Sequence, residues 1–527
     1  MNPLRPFLPC RERSTPNGSP AMRSLPRSFA RSLALVTALA LGGLTTATAT
    51  AADPAIPDRP EKLQYPALSY QPPKPADYRV QLRAGPVAYI VPDRTLPLVN
   101  VSVLVRTGAY LDPTNRPGVA DFTGYLLVRG GVQSKTAEEL DERLAFLAAG
   151  LNSAIGDESG TVSLNLLSKD LPEGLALLRE ALTAPRFQAD KLELYREQIV
   201  QSLKQRNDDS ASIHGRESEA LAYGTNFWAC RQLTGAQAAA ITADDLRAFH
   251  RRWFHPANFT VAVSGDVDRD AILAKLEELF ANWPFTGEKP GPIPTDIQMA
   301  PGGVYVVNKE VNQGRVSILL PGLKRDHPDF PAVTLMNDIL GGGGFTSRIM
   351  NRVRSDEGLA YGASSAFPGG ATYPRAFQAG FETKSRTVAY ATRIVLDEIN
   401  RISSAPVTDE EINTSKRSFV DTFPGNFSTK SRVASLFATD EFTGRFAQDP
   451  EYWQKWRGRM EAVSKDDVQR VAKEHLHADK AVILVVGQKE EIEKGHPVQL
   501  RQLASGKVTE LPLRDPLTQE PLPPAKK

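Results

Sequence analysis

The stretch Val101-Ser-Val-Leu-Val105 reads as a half-buried strand, and 215 residues later Val316-Ser-Ile-Leu-Leu320 repeats it. Working outward, each copy has the same neighbours. Val87-Ala-Tyr-Ile-Val91 precedes the first and Val304-Tyr-Val-Val307 the second, and helix candidates follow at 117–129 and 330–340. The closing segments match too. Leu246-Arg-Ala-Phe-His-Arg-Arg-Trp-Phe254 leads into Thr260-Val-Ala-Val-Ser-Gly265, as Val468-Gln-Arg-Val-Ala-Lys-Glu-His475 leads into Val482-Ile-Leu-Val-Val-Gly487. The closing glycines lie 222 residues apart, so the offset hardly changes from one end to the other. Duplication of one α+β unit of roughly 200 residues is the expectation, and a short-period solenoid is not.

Between the copies, Phe285-Thr-Gly-Glu-Lys-Pro-Gly-Pro-Ile-Pro-Thr295 resists both helix and sheet. The expected organisation is a leader at 1–51, a first lobe at 75–285, a linker at 286–300, a second lobe at 301–500 and a loose tail at 501–527. Helices 136–149 and 171–182 are expected to cover one face of their sheet. With 41% hydrophobic and 24% charged residues among 527, a multi-domain globular protein is implied and disordered or fibrous classes are excluded.

The leader has its own grammar. Met22-Arg-Ser-Leu-Pro-Arg-Ser-Phe-Ala-Arg31 is basic, 33–44 is apolar, and Ala49-Thr50-Ala51 fits a small-residue cleavage site. A secretory signal peptide is expected, starting at Met1 or Met22, with an uncleaved anchor as the alternative. Export would place the protein in the periplasm of a cell with two membranes. No membrane span is expected in the mature chain. Cleavage after Ala51 leaves a net charge near −3 and Cys230 as the sole cysteine, so neither nucleic-acid binding nor an internal disulfide is expected.

Four stretches together carry a family resemblance: PGVADFTGYLL (117–127), the run TAEELDERLAFLAAGLNSAIGDESGTVSLNLLSKDLPEGLALLREALTAPRF (136–187), RRWFHPANFTVAVSGDVD (251–268) and GGGGFTSRIMNRVRSDEGLAYGASS (341–365). In this order, over about 87–487, the chain resembles the pitrilysin/insulinase-like zinc metallopeptidases. The resemblance implies two α/β-roll lobes, each a mainly antiparallel sheet covered by helices, in a clam-shell arrangement.

It also locates a zinc site that has lost its chemistry. The family's inverted His-x-x-Glu-His motif falls on Asp121, Gly124 and Tyr125. Aspartate can ligate zinc, but a tyrosine with a pKa of about 10 is a poor ligand at neutral pH, and glycine has no side chain to act as base. The family's further glutamate ligand aligns with Ser202, or with Glu197 if the register slips by a turn. None of the seven histidines forms an i, i+4 pair. No metal is therefore expected in this chain. The residues alone read as an amphipathic helix burying Val119, Phe122 and Leu126.

The second lobe differs. The resemblance assigns Arg354 and Tyr361 to a pair that binds the substrate carbonyl and stabilises the oxyanion in the opposite lobe or a partner subunit. Read without the family, Arg354 is a cation at a helix C-terminus and Tyr361 a strand residue. A helix at 346–357, stopped by Gly358, would place both at one corner. Asn152, Ser153 and Ala154 match the edge strand that pairs with substrate main chain. The four glycines 341–344 lack the Lys-Ser/Thr of a phosphate loop.

The expected function is a substrate-binding subunit of an exported two-chain zinc peptidase, in which a homologous partner holds the zinc. The alternatives are a peptide-binding scaffold without a role in hydrolysis and an autonomous peptidase with a zinc site rebuilt from Asp121 and Glu197.

Overall fold

The computed structural model describes residues 69–495 and 508–523, with positions 59, 62, 63 and 503; the expected leader at 1–51 lies outside the described residues. Both sheets fall within one unit spanning 68–527.

The first sheet contains β1 (Arg79–Gln81), β2 (Val87–Pro92), β3 (Leu98–Val105), β4 (Gly150–Ile155), β5 (Gly160–Leu167) and β6 (Phe259–Gly265), in the order β1-β2-β6-β3-β5-β4. The second contains β7 (Gly303–Asn308), β8 (Gln313–Leu323), β9 (Ala360–Ala366), β10 (Arg375–Lys384), β11 (Val482–Gly487) and β12 (Val508–Leu511), in the order β12-β7-β11-β8-β10-β9. Omitting β1 and β12, the two orders are one topology. The returning strand pairs in parallel with the first strand of its lobe, β6 with β2 and β11 with β7, because a long helical connection separates them. The hairpin pairs are antiparallel.

β12 lies in the segment expected to be a loose tail, and it adds to β7 in parallel. Four residues, Val508 to Leu511, suffice because β7 otherwise leaves an open edge.

Local signals set the helices. Val119–Arg129 starts where Asp112 accepts the Gly118 and Ala120 N–H groups, both at 2.7 Å, so a carboxylate caps a positive helix end. Ala137–Phe146 starts at a Thr136/Glu139 capping box but ends earlier than the sequence suggested, because Gly150 already begins β4. Leu171–Thr183 matches its expectation.

The strands β6 and β11, inside their sheets, are buried on both faces. Ile90, Val101 and Val103 face the first lobe's own helices, whereas Tyr89, Val91 and Ala262 face Phe423, Phe427, Phe437 and Trp453 of the second half. The exchange is reciprocal. Leu221 and Ala222, on the first-half helix Ser210–Tyr223, pack on Val482, Leu484 and Val486. Double burial explains why β6 and β11 read as continuous apolar runs.

Polar ties register the exchange. Tyr89 Oη donates to Glu441 at 2.9 Å, and Arg79 donates to both oxygens of that carboxylate at 2.9 and 3.2 Å. Arg375 pairs with Glu158 at 2.6 Å. A partly exposed ion pair contributes about 0–1 kcal/mol, whereas each buried ring contributes about 1.5–3 kcal/mol. The exchanged aromatic cores, not the ion pairs, hold the halves together.

Candidate functional site

Asp121, Gly124 and Tyr125 lie on one face of Val119–Arg129, as i, i+3 and i+4 positions must. That face meets the helix Ala189–Gln205 through Tyr195. Tyr195 Oη donates to Asp121 Oδ2 at 2.7 Å, and its ring stacks on Tyr125 with centroids 3.7 Å apart and planes 8° apart. Phe122 meets the same ring edge-on at 4.8 Å. Arg129, one turn further along, lies 4.6 Å over the Tyr125 ring. Aromatic packing therefore fills the face where two ligands and a base would converge.

Gly124 adds the tightest contact. A Cβ built there would lie 2.3 Å from Ile155 N and 2.9 Å from Ala154 C, both main-chain atoms of β4. Ser153 Oγ donates to Gly124 O at 2.6 Å, tying the strand to the helix. The strand therefore sits directly on the helix where the motif's glutamate would project.

The residues do not fit a zinc ion. Asp121 is committed to Tyr195, Tyr125 is stacked, and Gly124 offers no side chain. Glu197 and Ser202 are both exposed. Glu197 is two positions from Tyr195, so it leaves the helix on another face; Ser202 is two turns on and supplies only a hydroxyl. Among the described residues, three His, Cys, Asp or Glu groups come together at metal-ligating proximity only at Asp329, Glu474 and His475. There Arg470 already pairs with Asp329 at 2.5 Å and with Glu474 at 3.3 Å.

Asp121 is exposed as a residue, yet protein crowds its carboxyl, and this lost hydration raises its pKa while the Tyr195 hydrogen bond pulls it down. A carboxyl with a raised folded pKa binds more protons when folded, so its contribution to stability declines as pH rises through the unfolded and then the folded pKa. Asp121→Asn, which still accepts from Tyr195, is therefore expected to leave the melting temperature at pH 8 unchanged or higher. Chelator should shift neither protein's melting. A marked loss of stability in the variant, together with chelator sensitivity of the parent, would point instead to a metal ligand.

The pair in the second lobe is brought together. The sequence suggested a regular helix over 346–357. The structure instead has a short α-turn at Arg348–Met350 that widens into a π-helix at Asn351–Asp356. The chain then turns through Gly358, with φ at +61°, into β9. Such widened turns recur at functional sites. Arg348 is locked to Glu411 at 2.6 and 2.9 Å, and Arg352 pairs with Asp356 at 3.1 Å. Arg354 has no carboxylate within ion-pair distance among the described residues. Its guanidinium lies 4.6 Å from the Tyr361 ring and 4.7 Å from the Phe345 ring. Tyr361 is 88% exposed and Phe345 63% exposed, so the cluster faces solvent.

Phe345 was not anticipated. Its signal was its place directly after Gly341–Gly344. Gly341 lets that turn approach β9, since a Cβ there would lie 2.5 Å from Ser365 N. Gly344, with φ at +62°, turns the chain outward before Phe345.

β4 and β9 are the terminal strands of their sheets. On β4, Asn152 and Ala154 are exposed, whereas Ser153 is engaged with Gly124.

Comparison with known proteins follows this geometry. Residues 89–223, which include the Val119–Arg129 helix and β4, match Insulinase (Peptidase family M16), and residues 240–419 match the Peptidase M16 inactive domain. An uncharacterized zinc protease of Streptomyces coelicolor is 24% identical over 380 residues, covering 68% of this chain and 78% of that protein. One from Mycobacterium tuberculosis is 26% identical over 303 residues, covering 54% and 68%. Among solved structures, a peptidase M16 inactive domain from Pseudomonas fluorescens aligns with a TM-score of 0.69 at 24% identity, over 78% of this chain and 97% of that one. The first half of the periplasmic protease PqqL from Escherichia coli gives 0.64 at 16% identity, over 82% and 97%. These structural likenesses concern the fold.

Proposed function

The chain belongs to the insulinase (M16) family of peptidases, and we propose that it acts as a substrate-binding, non-hydrolytic subunit of an exported peptidase. A homologous zinc-bearing chain would cut the peptide, and this chain would supply Arg354 and Tyr361. The observation that carries the proposal is a contrast within one molecule. The helix in the zinc-motif position is filled by Tyr195 and closed by β4 at Gly124, while an arginine without a carboxylate partner lies close to two exposed rings.

When bound in the partner, zinc supplies an activated water for attack on the peptide carbonyl. The residues of this chain would act on the oxygen of that carbonyl. A guanidinium close to two exposed rings and without a carboxylate partner keeps N–H donors available, and the phenol beside it adds an O–H donor. Donors held in place before negative charge develops stabilise the transition state more than the ground state. The main-chain groups of β4 or β9 are suited to hold an extended peptide by strand addition.

Reconstitution tests the reading. Mixing this chain with a homologous subunit that carries His-x-x-Glu-His is expected to yield peptide cleavage that neither gives alone, with zinc in the partner. Cleavage by this chain alone, or no gain on mixing, would overturn it. In the scaffold reading, which the free edges of β4 and β9 also support, peptides bind without cleavage and binding is indifferent to Arg354→Ala.

A further inference from the structure

A cavity of 480 Å³ in the second half lies among the loop after β8, the start of helix Phe330–Asn337, the turn after helix Lys430–Phe442 and the helix Tyr452–Ala462. Its body is apolar and aromatic, from Phe330, Tyr452, Trp456 and Met460. Its size lies within the range of small-molecule sites.

The charges around it are matched except at one position. Arg445 donates to the buried Asp440 at 2.9 Å and stacks on Tyr452 at 4.2 Å. Arg459 pairs with Asp449, which also has Lys455 at 3.7 Å. Asp326 pairs with Lys324 at 3.2 Å. His327 Nδ1 accepts the Asp329 N–H at 3.2 Å. Arg325 remains. Its guanidinium donates to Thr443 Oγ1, and no carboxylate lies within ion-pair distance among the described residues. Burial, and then the neighbouring Arg445 charge, lower its pKa, while Asp440, Tyr452 and Asp326 act the other way without reversing the shift. A guanidinium held in this setting without a counter-ion is stabilised by an arriving anion.

We propose that this cavity binds an organic monocarboxylate with an apolar body, about one or two amino-acid residues in size, with Arg325 on the carboxylate and Tyr452 and Trp456 against the body. A single unmatched cation fits a single negative charge. A phosphate dianion would meet Asp326 and Asp449 with no second free cation. The site is separate from Arg354 and Tyr361 and does not rest on the function proposed above. The ligand is a free small acid or the C-terminal residue of a peptide; both present the same chemistry.

Titration calorimetry of the purified full chain tests the proposal, comparing N-acetyl-L-phenylalanine with its amide, which has the same body and no charge. The acid is expected to bind at least about tenfold more tightly. Arg325→Gln should erase that difference, Arg325→Lys should retain part of it, and Arg354→Ala should leave it intact. A pentapeptide ending in phenylalanine acid separates the sources through the part of its affinity that Arg325→Gln removes: a larger part than for the acetylated residue identifies a peptide terminus, and a smaller part a free acid. Equal affinity for acid and amide, or binding of neither, overturns the assignment. That comparison uses the unmodified protein, so it stands even if an Arg325 variant fails to fold.

Discussion

Gly124→Glu, which restores the residue of the zinc motif at that position, is expected to destabilise the protein by about 2–3 kcal/mol or more and to create no catalytic base. A side chain at 124 meets the main chain of β4, at Ile155 N and Ala154 C, rather than a pliable side-chain tip. Making room would require β4 to leave the helix, which breaks the Ser153–Gly124 hydrogen bond and strains the ladder from Gly150↔Asn165 to Ile155↔Gly160. Gly124→Ala is the sharper measurement. Helix propensity alone favours alanine by about 1 kcal/mol, so a net loss can come only from the clash. Chemical denaturation is expected to show a lower midpoint for Gly124→Ala and a lower one still for Gly124→Glu. An unchanged or raised midpoint for the alanine variant would mean that β4 does not rest on this helix. Placing histidines at Asp121 and Tyr125 as well is expected to yield no stoichiometric zinc, since it dismantles the Tyr125–Tyr195 stack without moving the strand.

The physics of each element decides how much of this was legible in the sequence. The strands were legible because their alternation and their order recur at a nearly constant offset; β2, β3, β6, β7, β8 and β11 all fall where Val/Ile-rich runs predicted them. That Asp121, Gly124 and Tyr125 stand where the zinc motif would lie was legible from residue types and the family resemblance. The packing on that face was not, because Tyr195 stands seventy residues further along and a lone tyrosine on a helix carries no mark of its partner. The exchanged helices were hidden for a related reason. Ser210–Tyr223 and Lys430–Phe442 show little amphipathic contrast along the sequence, and no local pattern says which sheet receives a helix. The π-helix at Asn351–Asp356 leaves no compositional trace, and the short β12 stretch gave too few residues for a period to show. The corner holding Arg354 and Tyr361 was anticipated through the family resemblance, whereas the third member, Phe345, emerged only when the chain was folded.

Arg354→Ala in the reconstituted pair is expected to lower kcat by about 10²–10³-fold, the loss typical when one preorganised donor to a developing oxyanion is removed. KM should change less, because the donor matters most once negative charge has formed. Arg354→Lys distinguishes charge from geometry. An ammonium keeps the charge but lacks the planar fork of donors that a guanidinium presents beside Phe345 and Tyr361, so it should recover only part of the loss. Tyr361→Phe keeps the ring against the guanidinium and removes the O–H donor, so its effect isolates that hydrogen bond. If both residues serve the same oxygen, as proposed, the double variant should lose less than the product of the single losses. Association of the two chains and the zinc content of the partner should stay unchanged in all of them, which separates a role at the reacting carbonyl from one in assembly. Turnover within about twofold of the parent for Arg354→Ala, with the pair still formed, would remove Arg354 from the reaction and leave this lobe a peptide-binding scaffold.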